Sequence, residues 1–293
     1  MALPRPRRSV LYMPGSNARA LEKAKTLPVD ALILDLEDAV APEVKAEARE
    51  QVAAAVKTRS YGHREVVMRI NGLDTPWGAD DLKAAAAAAP DAVLIPKVST
   101  ADDIAQVAEV LNRSGTPETT TTWAMMESPL AVLDPLGVTK AARDPSNRLS
   151  CLVMGTNDLA KETRMRIIPG RANMMGWLAD CVIAARAMGV DILDGVYNDF
   201  RNDDGLKEEC DQGRDLGMNG KTLIHPGQVA ICNAAFSPSE AEVADARAII
   251  EAFDLPENRD KAAINLNGRM VERLHAEIAQ RVVDLADAIA AQG

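Results

Sequence analysis

Short apolar runs alternate with longer amphipathic stretches along most of this 293-residue chain. Several runs are apolar without interruption, as expected for parallel strands that are buried on both faces. The predicted strands are Ser9–Met13, Ala31–Asp35, Val66–Ile70, Ala92–Pro96, Thr122–Met126, Cys151–Met154, Asp191–Asp194 and Lys221–Ile224. The predicted helices are Ala18–Thr26, Glu43–Lys57, Asp80–Ala88, Ala101–Asn112, Arg171–Met188 and Leu206–Gly217, with Pro129–Ala142 as a weaker candidate.

Eight strands that alternate with helices predict an α/β fold, a TIM (β/α)8 barrel, with a doubly wound open sheet as the alternative. Two more helical segments follow, Ser239–Phe253 and Met270–Ala291, and the polar segment 258–269 between them is predicted to be a linker. We therefore predict a catalytic barrel over residues 1–235. Residues 236–293 are predicted to form a C-terminal helical lid that can pack on its own barrel or on a neighbouring subunit.

Composition narrows the classes of function. Hydrophobic residues make up 47% of the chain, enough for a large core, and 33 Lys+Arg against 43 Asp+Glu give a net charge of −10. Such an acidic protein is a poor candidate for binding nucleic acid or an anionic membrane. The four cysteines lie far apart and are expected to be reduced. The chain begins without a signal-peptide pattern and has no apolar run of membrane-spanning length, which predicts a cytoplasmic protein.

Polar residues follow most of the predicted strands, where a TIM barrel places its active site. Glu127 and Asp158 follow the adjacent fifth and sixth strands, so their carboxylates can meet and bind Mg²⁺, for which Mn²⁺ can substitute. Arg69 ends the third strand and is suited to a substrate carboxylate or thioester oxygen. The alternative is that these residues form ion pairs that hold the barrel mouth together.

Three acids lie close together after the second strand, at Asp35, Glu37 and Asp38. We expect at least one of them to be a cap or a supporting partner, and we predict a catalytic role for Glu37. Ser128 and Ser9 lack the neighbours of a catalytic triad, so nucleophilic serine catalysis is not expected.

An ordered series of motifs resembles the HpcH/HpaI aldolase/citrate lyase β subunit family. The motifs are RSVLYMPG (8–15), DLEDAVAPEVKAEAR (35–49), RIN (69–71), IPKV (95–98), ES (127–128), GTNDLA (155–160) and IHP (224–226). GTNDLAKE, DGVYNDF (194–200) and GKTLIHP (220–226) are most similar to the branch that contains malyl-CoA lyase and (3S)-malyl-CoA thioesterase. The resemblance extends from the N-terminus to about Pro226, with a looser tail.

The resemblance implies a Mg²⁺-dependent enzyme, with Glu127 and Asp158 as metal ligands and Arg69 on the acyl oxygens. The substrate would be a short acidic 3-hydroxyacyl-CoA thioester, with CoA as part of the substrate. The residues expected to contact substrate or CoA are Tyr12, Pro14, Arg19, Lys23, Arg69, Asn157, His225 and Pro226. For Arg19 and Lys23 the alternative is that they are solvated residues on a helix surface.

The family resemblance also implies a catalytic acid in the C-terminal lid, in a segment like DGxMxD. Here the segment is NGRMVE (267–272), so Glu272 stands at the catalytic position. A glutamate is one methylene longer than aspartate, which matters for a base that must be placed within about 1 Å.

Three hypotheses follow: a free-standing acyl-CoA lyase, a thioesterase that releases malate and CoA, or a lyase subunit that acts on a carrier-protein thioester within a complex. A homotrimer or hexamer is expected.

Overall fold

The computed structural model describes residues 4–292, which form two compact units. The first unit, Arg7–Phe236, contains a closed barrel of eight parallel strands in sequence order, β1 to β8, as predicted. The strands are β1 (Ser9–Pro14), β2 (Ala31–Asp35), β3 (Glu65–Arg69), β4 (Ala92–Ile95), β5 (Thr121–Met126), β6 (Leu149–Met154), β7 (Asp191–Asp194) and β8 (Gly220–Leu223). The barrel closes where β8 pairs with β1.

Ten α-helices accompany the strands in the described part of this unit. They are α1 (Ala18–Ala24), α2 (Lys45–Lys57), α3 (Gly78–Ala88), α4 (Ala101–Arg113), α5 (Pro129–Leu133), α6 (Pro135–Thr139), α7 (Thr156–Thr163), α8 (Met175–Met188), α9 (Asp203–Leu216) and α10 (Val229–Phe236). No helix within residues 4–292 is long and apolar enough to cross a membrane.

The barrel interior is filled by alternate residues of the strands. Val10, Ile33, Val67, Leu94 and Trp123 form one cluster with their neighbours inside the barrel, and each is fully buried. The residues between them face the helices and join the larger outer core. Because every strand is buried on both faces, the uninterrupted apolar runs of the sequence are explained by this two-sided packing.

The predicted segment Arg171–Met188 differs from the structure. A short helix, α7, comes directly after β6, and α8 begins only at Met175. Arg171 has a positive φ of 39° and is buried, because its guanidinium pairs with both oxygens of Asp194 at 2.6 and 2.8 Å. This tertiary contact, which periodicity does not report, interrupts the predicted helix.

Asp194 belongs to a buried ionic group between the strands and α9. Lys221 on β8 is fully buried, and its Nζ lies 2.9 Å from Asp194 and 3.0 Å from Glu209. Arg171 supplies the second cation, so two positive and two negative charges are balanced. Burying such charges is favourable only when each finds its partner, so this group fixes α9 and the segment before α8 against the barrel.

The second unit comprises residues 237–292 together with residues 4–6. It contains α11 (Glu240–Asp254), a hairpin of β9 (Ala263–Leu266) and β10 (Arg269–Glu272), and α12 (Arg273–Ala290). The predicted linker 258–269 and the predicted helix start at Met270 were therefore wrong. Asn267 and Gly268 both have positive φ, at 52° and 81°, as a two-residue hairpin turn requires.

The apolar positions at the start of α12 are only partly buried. Val271 and Ala279 pack with Ile249 and Phe253 of α11 in a small separate core. Leu274 and Ile278 remain about half exposed, at 50% and 51%.

Candidate active site at the barrel mouth

A cavity of about 290 Å³ opens at the carboxyl ends of the barrel strands. Its walls are residues near the ends of the strands and in the segments that follow them, so the closed parallel barrel brings together side chains that are far apart in the sequence. The lining residues are Tyr12, Asp35, Asp38, Ala39, Arg69, Met125, Glu127, Met154, Gly155, Thr156, Asn157, Asp158, Val196, Thr222 and Ile224. A second cavity of about 510 Å³ adjoins it and shares Thr156, Asn157 and Val196.

Arg69 lies at the centre of the mouth and is held by Asp35. Its Nε and Nη2 donate to the two carboxylate oxygens of Asp35 at 2.6 and 2.7 Å, and its guanidinium lies over the ring of Tyr12 at 4.8 Å. These two nitrogens, which could otherwise bind a substrate carboxylate, are therefore occupied by Asp35. Nη1 points instead towards Glu37 and Asp38, at 2.8 and 3.4 Å.

Asp35 is the supporting residue expected among the three acids. It is fully buried, and besides binding Arg69 it accepts hydrogen bonds from the backbone N–H groups of Glu37 and Ala39, at 2.9 and 3.0 Å. Lys45 also holds the segment that follows β2, since its Nζ donates to the carbonyls of Leu36 and Glu37 at 2.9 and 2.8 Å. The loop after β2 is thereby rigid.

Glu37 is a buried acid with one oxygen that lacks a hydrogen bond. Its side chain is 8% exposed; Oε1 lies 3.3 Å from Lys97 Nζ, whereas Oε2 faces Arg69 Nη1 in a geometry that makes no hydrogen bond. Burial raises the pKa of Glu37, and the charge of Arg69 opposes that rise. A carboxylate of this kind is suited to accept a proton. The catalytic role of Glu37 stays a prediction.

Glu127 follows β5 and is 2% exposed. Its Oε1 accepts a hydrogen bond from the backbone N–H of Lys97 at 2.7 Å. Its Oε2 lies against Gly155, where an added Cβ would approach it to 2.6 Å. Burial, followed by the charge of Glu37, raises the pKa of Glu127 to about 8. This carboxylate is held in place, and within residues 4–292 it forms no ion pair.

Asp158 and Asn157 lie in the first turn of α7 and both line the cavity. The helix N-terminus favours a carboxylate at this position. Asn157 forms a reciprocal amide pair with Asn198, at 3.1 and 2.8 Å. Glu127 and Asp158 line the same cavity, and the negative charge of Asp158 contributes to the raised pKa of Glu127.

The pair of carboxylates fits a Mg²⁺ ion. Mg²⁺ uses one or two carboxylates and completes its octahedron with water and substrate oxygens. Within residues 4–292 there is no group of three or more His, Cys, Asp or Glu side chains preformed for a metal, and a Mg²⁺ site does not require one. Two adjacent acids on a rigid rim, one of them with an oxygen beside a glycine, supply the hard oxygen ligands that this ion prefers.

Among the remaining predicted contacts, Tyr12 belongs to the cavity lining, whereas Pro14, Arg19, Lys23, His225 and Pro226 do not. The hydroxyl of Tyr12 lies 3.5 Å from Met125 Sδ. Pro14 ends β1, half-buried, and Arg19 and Lys23 are exposed on α1. His225 is exposed, stacks on Phe200 with ring centroids 4.9 Å apart, and accepts from the N–H of Gly227 at Nδ1. Pro226, half-buried, begins a short turn of 3₁₀ helix.

Glu272 lies in the second unit, half-buried, as the residue that precedes α12. Its backbone N–H donates to His275 Nδ1 at 2.9 Å. Arg269, three residues earlier, pairs with Asp245 at 2.9 Å. The catalytic role of Glu272 stays a prediction.

Three residues of the mouth were given no individual role in the sequence analysis. Lys97 contacts Glu127 through its backbone, Gly155 leaves room for the Glu127 carboxylate, and Lys45 pins the loop after β2. A signal existed for the first two, because Lys97 and Gly155 stand directly after β4 and β6. Lys45 lies on α2, where only the tertiary structure reveals that its side chain points to the site.

The barrel fold and the ordered motifs agree with the match of this chain to a protein-family model. The model of the HpcH/HpaI aldolase/citrate lyase family matches residues 8–226. This chain belongs to that family. The match spans the barrel and includes both predicted metal ligands as well as Arg69.

Individual relatives extend the likeness to almost the whole chain. A (3S)-malyl-CoA thioesterase of Cereibacter sphaeroides (strain KD131 / KCTC 12085) is 49% identical over 286 residues, which cover 98% of this chain and 96% of that protein. Citrate lyase subunit beta of Escherichia coli (strain K12) is 32% identical over 288 residues, covering 97% and 94%. Both relatives are enzymes by name, and this chain is likewise an enzyme of the HpcH/HpaI aldolase/citrate lyase family.

Solved structures share the barrel. The protein CitE of Mycobacterium tuberculosis, in complex with magnesium, acetoacetate and coenzyme A, is 26% identical with a TM-score of 0.77 and covers 95% of this chain and 97% of its own. A citrate lyase beta subunit of M. tuberculosis, complexed with oxaloacetate and magnesium, is 25% identical with a TM-score of 0.66, covering 80% and 98%.

Proposed function

We propose that this enzyme hydrolyses a short acidic 3-hydroxyacyl-CoA thioester of the malyl-CoA type, with Mg²⁺ as cofactor, to the free acid and CoA. The observation that carries the proposal is the 49% identity to a (3S)-malyl-CoA thioesterase over 98% of the chain. The mouth described above supplies groups for that chemistry. Reversible carbon–carbon cleavage to acetyl-CoA and an oxo acid is the second candidate, favoured by the family of lyases to which the chain belongs.

The charges of the mouth support a requirement for a divalent cation. Its carboxylates are Asp35, Glu37, Asp38, Glu127 and Asp158, and its facing cations are Arg69 and Lys97. Arg69 is already paired with Asp35, so an acidic acyl group would meet an excess of negative charge. Mg²⁺ held by Glu127 and Asp158 would offset that charge and polarise the oxygens of the acyl group. Manganese can substitute, since it accepts the same oxygen ligands.

The protein groups then divide the remaining work. Arg69 Nη1 is not engaged by Asp35 and faces Glu37 and Asp38. It can stabilise an oxygen that becomes negative. Glu37, whose buried Oε2 makes no hydrogen bond, can accept a proton from water for hydrolysis. For carbon–carbon cleavage, a base must take the proton of the substrate hydroxyl. Glu272 is the proposed second base, and the phosphates of CoA would be met by Arg19 and Lys23.

The test is to incubate the full-length enzyme with (3S)-malyl-CoA and Mg²⁺ and to separate the products by chromatography and mass spectrometry. Malate with free CoA is the expected result, and glyoxylate with acetyl-CoA would favour the second candidate instead. EDTA and the Asp158→Ala variant should each abolish turnover, while the exposed Glu118→Gln variant keeps it. Full turnover with EDTA, or in Asp158→Ala, would exclude the metal assignment.

The same assay addresses the carrier-protein alternative, to which the 32% identity with citrate lyase subunit beta is relevant. Turnover of a free CoA thioester by the purified chain alone would argue against a requirement for partner subunits. We also propose a homo-oligomer, a trimer or a hexamer, since Met270, Leu274 and Ile278 expose apolar surface on the second unit. Light scattering after gel filtration measures the assembly directly.

A further inference from the structure

The backbone of Lys97 adopts an unusual conformation at the barrel mouth. Lys97 follows β4 with a φ of 52°, in the left-handed region that residues other than glycine rarely occupy. Ala89, Arg148 and Arg164 share this conformation, but each of them terminates a helix, where it is common. Lys97 lies instead in the turn that follows β4. Strained backbone of this kind persists where the surroundings impose it, and it is concentrated at functional sites.

The conformation has a direct consequence for Glu127. It directs the backbone N–H of Lys97 at Glu127 Oε1, over 2.7 Å. Glu127 is 2% exposed, so bulk water cannot replace a lost hydrogen bond to its carboxylate. The N–H of Lys97 is therefore the contact that holds Oε1. The other oxygen, Oε2, is left beside Gly155. One oxygen is thus fixed by the protein, and the second can serve a metal.

The turn that contains Lys97 is tied down on both sides. Asp103 Oδ2 accepts from the backbone N–H groups of Ser99 and Thr100, both at 2.8 Å. Ser128 Oγ, next to Glu127 in sequence, donates to the carbonyl of Val98 at 3.0 Å. The turn after β4 is therefore bonded to the segment after β5, which carries the carboxylate that it orients.

The side chain of Lys97 makes a different contact from its backbone. Its Nζ lies 3.3 Å from Glu37 Oε1, and the side chain is 56% exposed. We propose that Lys97 is a positioning residue of the metal site, and that its left-handed backbone, rather than its charge, sets the orientation of Glu127. This inference rests on the proposed role of Glu127 as a Mg²⁺ ligand.

Two substitutions separate backbone from charge. Lys97→Asn and Lys97→Val both remove the ammonium group, but asparagine tolerates the left-handed region and valine, being β-branched, does not. The affinity of the full-length enzyme for Mn²⁺ alone, measured by electron paramagnetic resonance, is the readout. Loss of groups that orient metal ligands typically weakens affinity about 10–100-fold. We expect Lys97→Val to bind Mn²⁺ at least about tenfold more weakly than Lys97→Asn, with Lys97→Gly equal to Lys97→Asn.

Two controls make the comparison interpretable. Ala89 has a φ of 50° at the opposite end of β4, so Ala89→Val introduces the same strain away from the mouth. It should lower the melting temperature and leave Mn²⁺ affinity unchanged. Glu127→Ala should lose Mn²⁺ binding; if it binds Mn²⁺ like the wild type, the proposed metal site itself fails.

If Glu127→Ala does lose binding, equal affinities in Lys97→Asn and Lys97→Val would overturn the positioning role. A loss of affinity from Ala89→Val as large as that from Lys97→Val would overturn it too. Should Lys97→Val not fold, Lys97→Ala takes its place against Lys97→Asn with the same expected order.

Discussion

The raised pKa of Glu127 predicts that the metal-free enzyme loses stability as pH rises. The ordinary pKa of a glutamate is 4.5, and in the folded chain that of Glu127 is about 8. Folding therefore favours the protonated form. The stabilisation is fully present below pH 4.5 and is lost as pH rises through 8. Each pKa unit corresponds to about 1.4 kcal/mol, so the loss across this window is about 5 kcal/mol as an upper limit.

The perturbation that isolates this effect is Glu127→Gln. A glutamine cannot ionise, yet its carbonyl oxygen can still accept the N–H of Lys97, so the hydrogen bond at 2.7 Å need not be lost. Urea unfolding in EDTA at pH 5, 6, 7 and 8 gives the free energy of unfolding of both proteins. As pH rises, the free energy of unfolding of Glu127→Gln should increase relative to that of the wild type. Glu118→Gln, on an exposed glutamate, should follow the wild type throughout.

Mg²⁺ should reverse the trend. Binding to the ionised carboxylate displaces one proton, so the apparent affinity for Mg²⁺ should rise about tenfold per pH unit below pH 8. Titration calorimetry at the same pH values measures this, and Glu127→Gln should bind weakly without that slope. A wild-type enzyme whose stability in EDTA stays parallel to that of Glu127→Gln between pH 5 and 8 would refute the reasoning.

Three further predictions concern Arg69, Lys221 and Glu272. Arg69→Lys breaks the two-pronged pair with Asp35. We expect kcat/KM on malyl-CoA to fall by a factor that corresponds to a loss of about 2–3 kcal/mol in transition-state stabilisation. An unchanged kcat/KM would leave Arg69 a purely structural residue. Lys221→Met leaves buried acids with one cation fewer, so urea unfolding should show a loss of about 3–5 kcal/mol. Glu272→Ala should depress hydrolysis with Mn²⁺ affinity unchanged, and Glu272→Asp should raise lyase products relative to hydrolysis; unchanged product ratios in Glu272→Asp with full activity in Glu272→Ala would remove this residue from the mechanism.

The fold and most of the mouth could be predicted from the sequence because two strong patterns coincide. Short apolar runs, several of them uninterrupted, located all eight strands within one or two residues. A strand that is buried on both faces needs apolar residues at successive positions, so its sequence is distinctive. Parallel strands in a closed barrel end at one rim, so the position of Glu127 after β5 and Asp158 after β6 already implied a shared site. Asn267-Gly268 carried the signal of a hairpin turn, which the polar composition around it concealed.

The tertiary structure alone decided how the groups of that rim are used. Sequence placed Arg69 at the mouth, but its partner is Asp35, 34 residues away, because the register of β2 and β3 sets the two residues side by side. The same holds for the left-handed backbone of Lys97, for Arg171 buried against Asp194, and for the raised pKa of Glu127. Local propensity and periodicity determine which elements form and which ends carry polar groups. Partners, strain and desolvation depend on packing between distant segments, and they exist only once the barrel has closed.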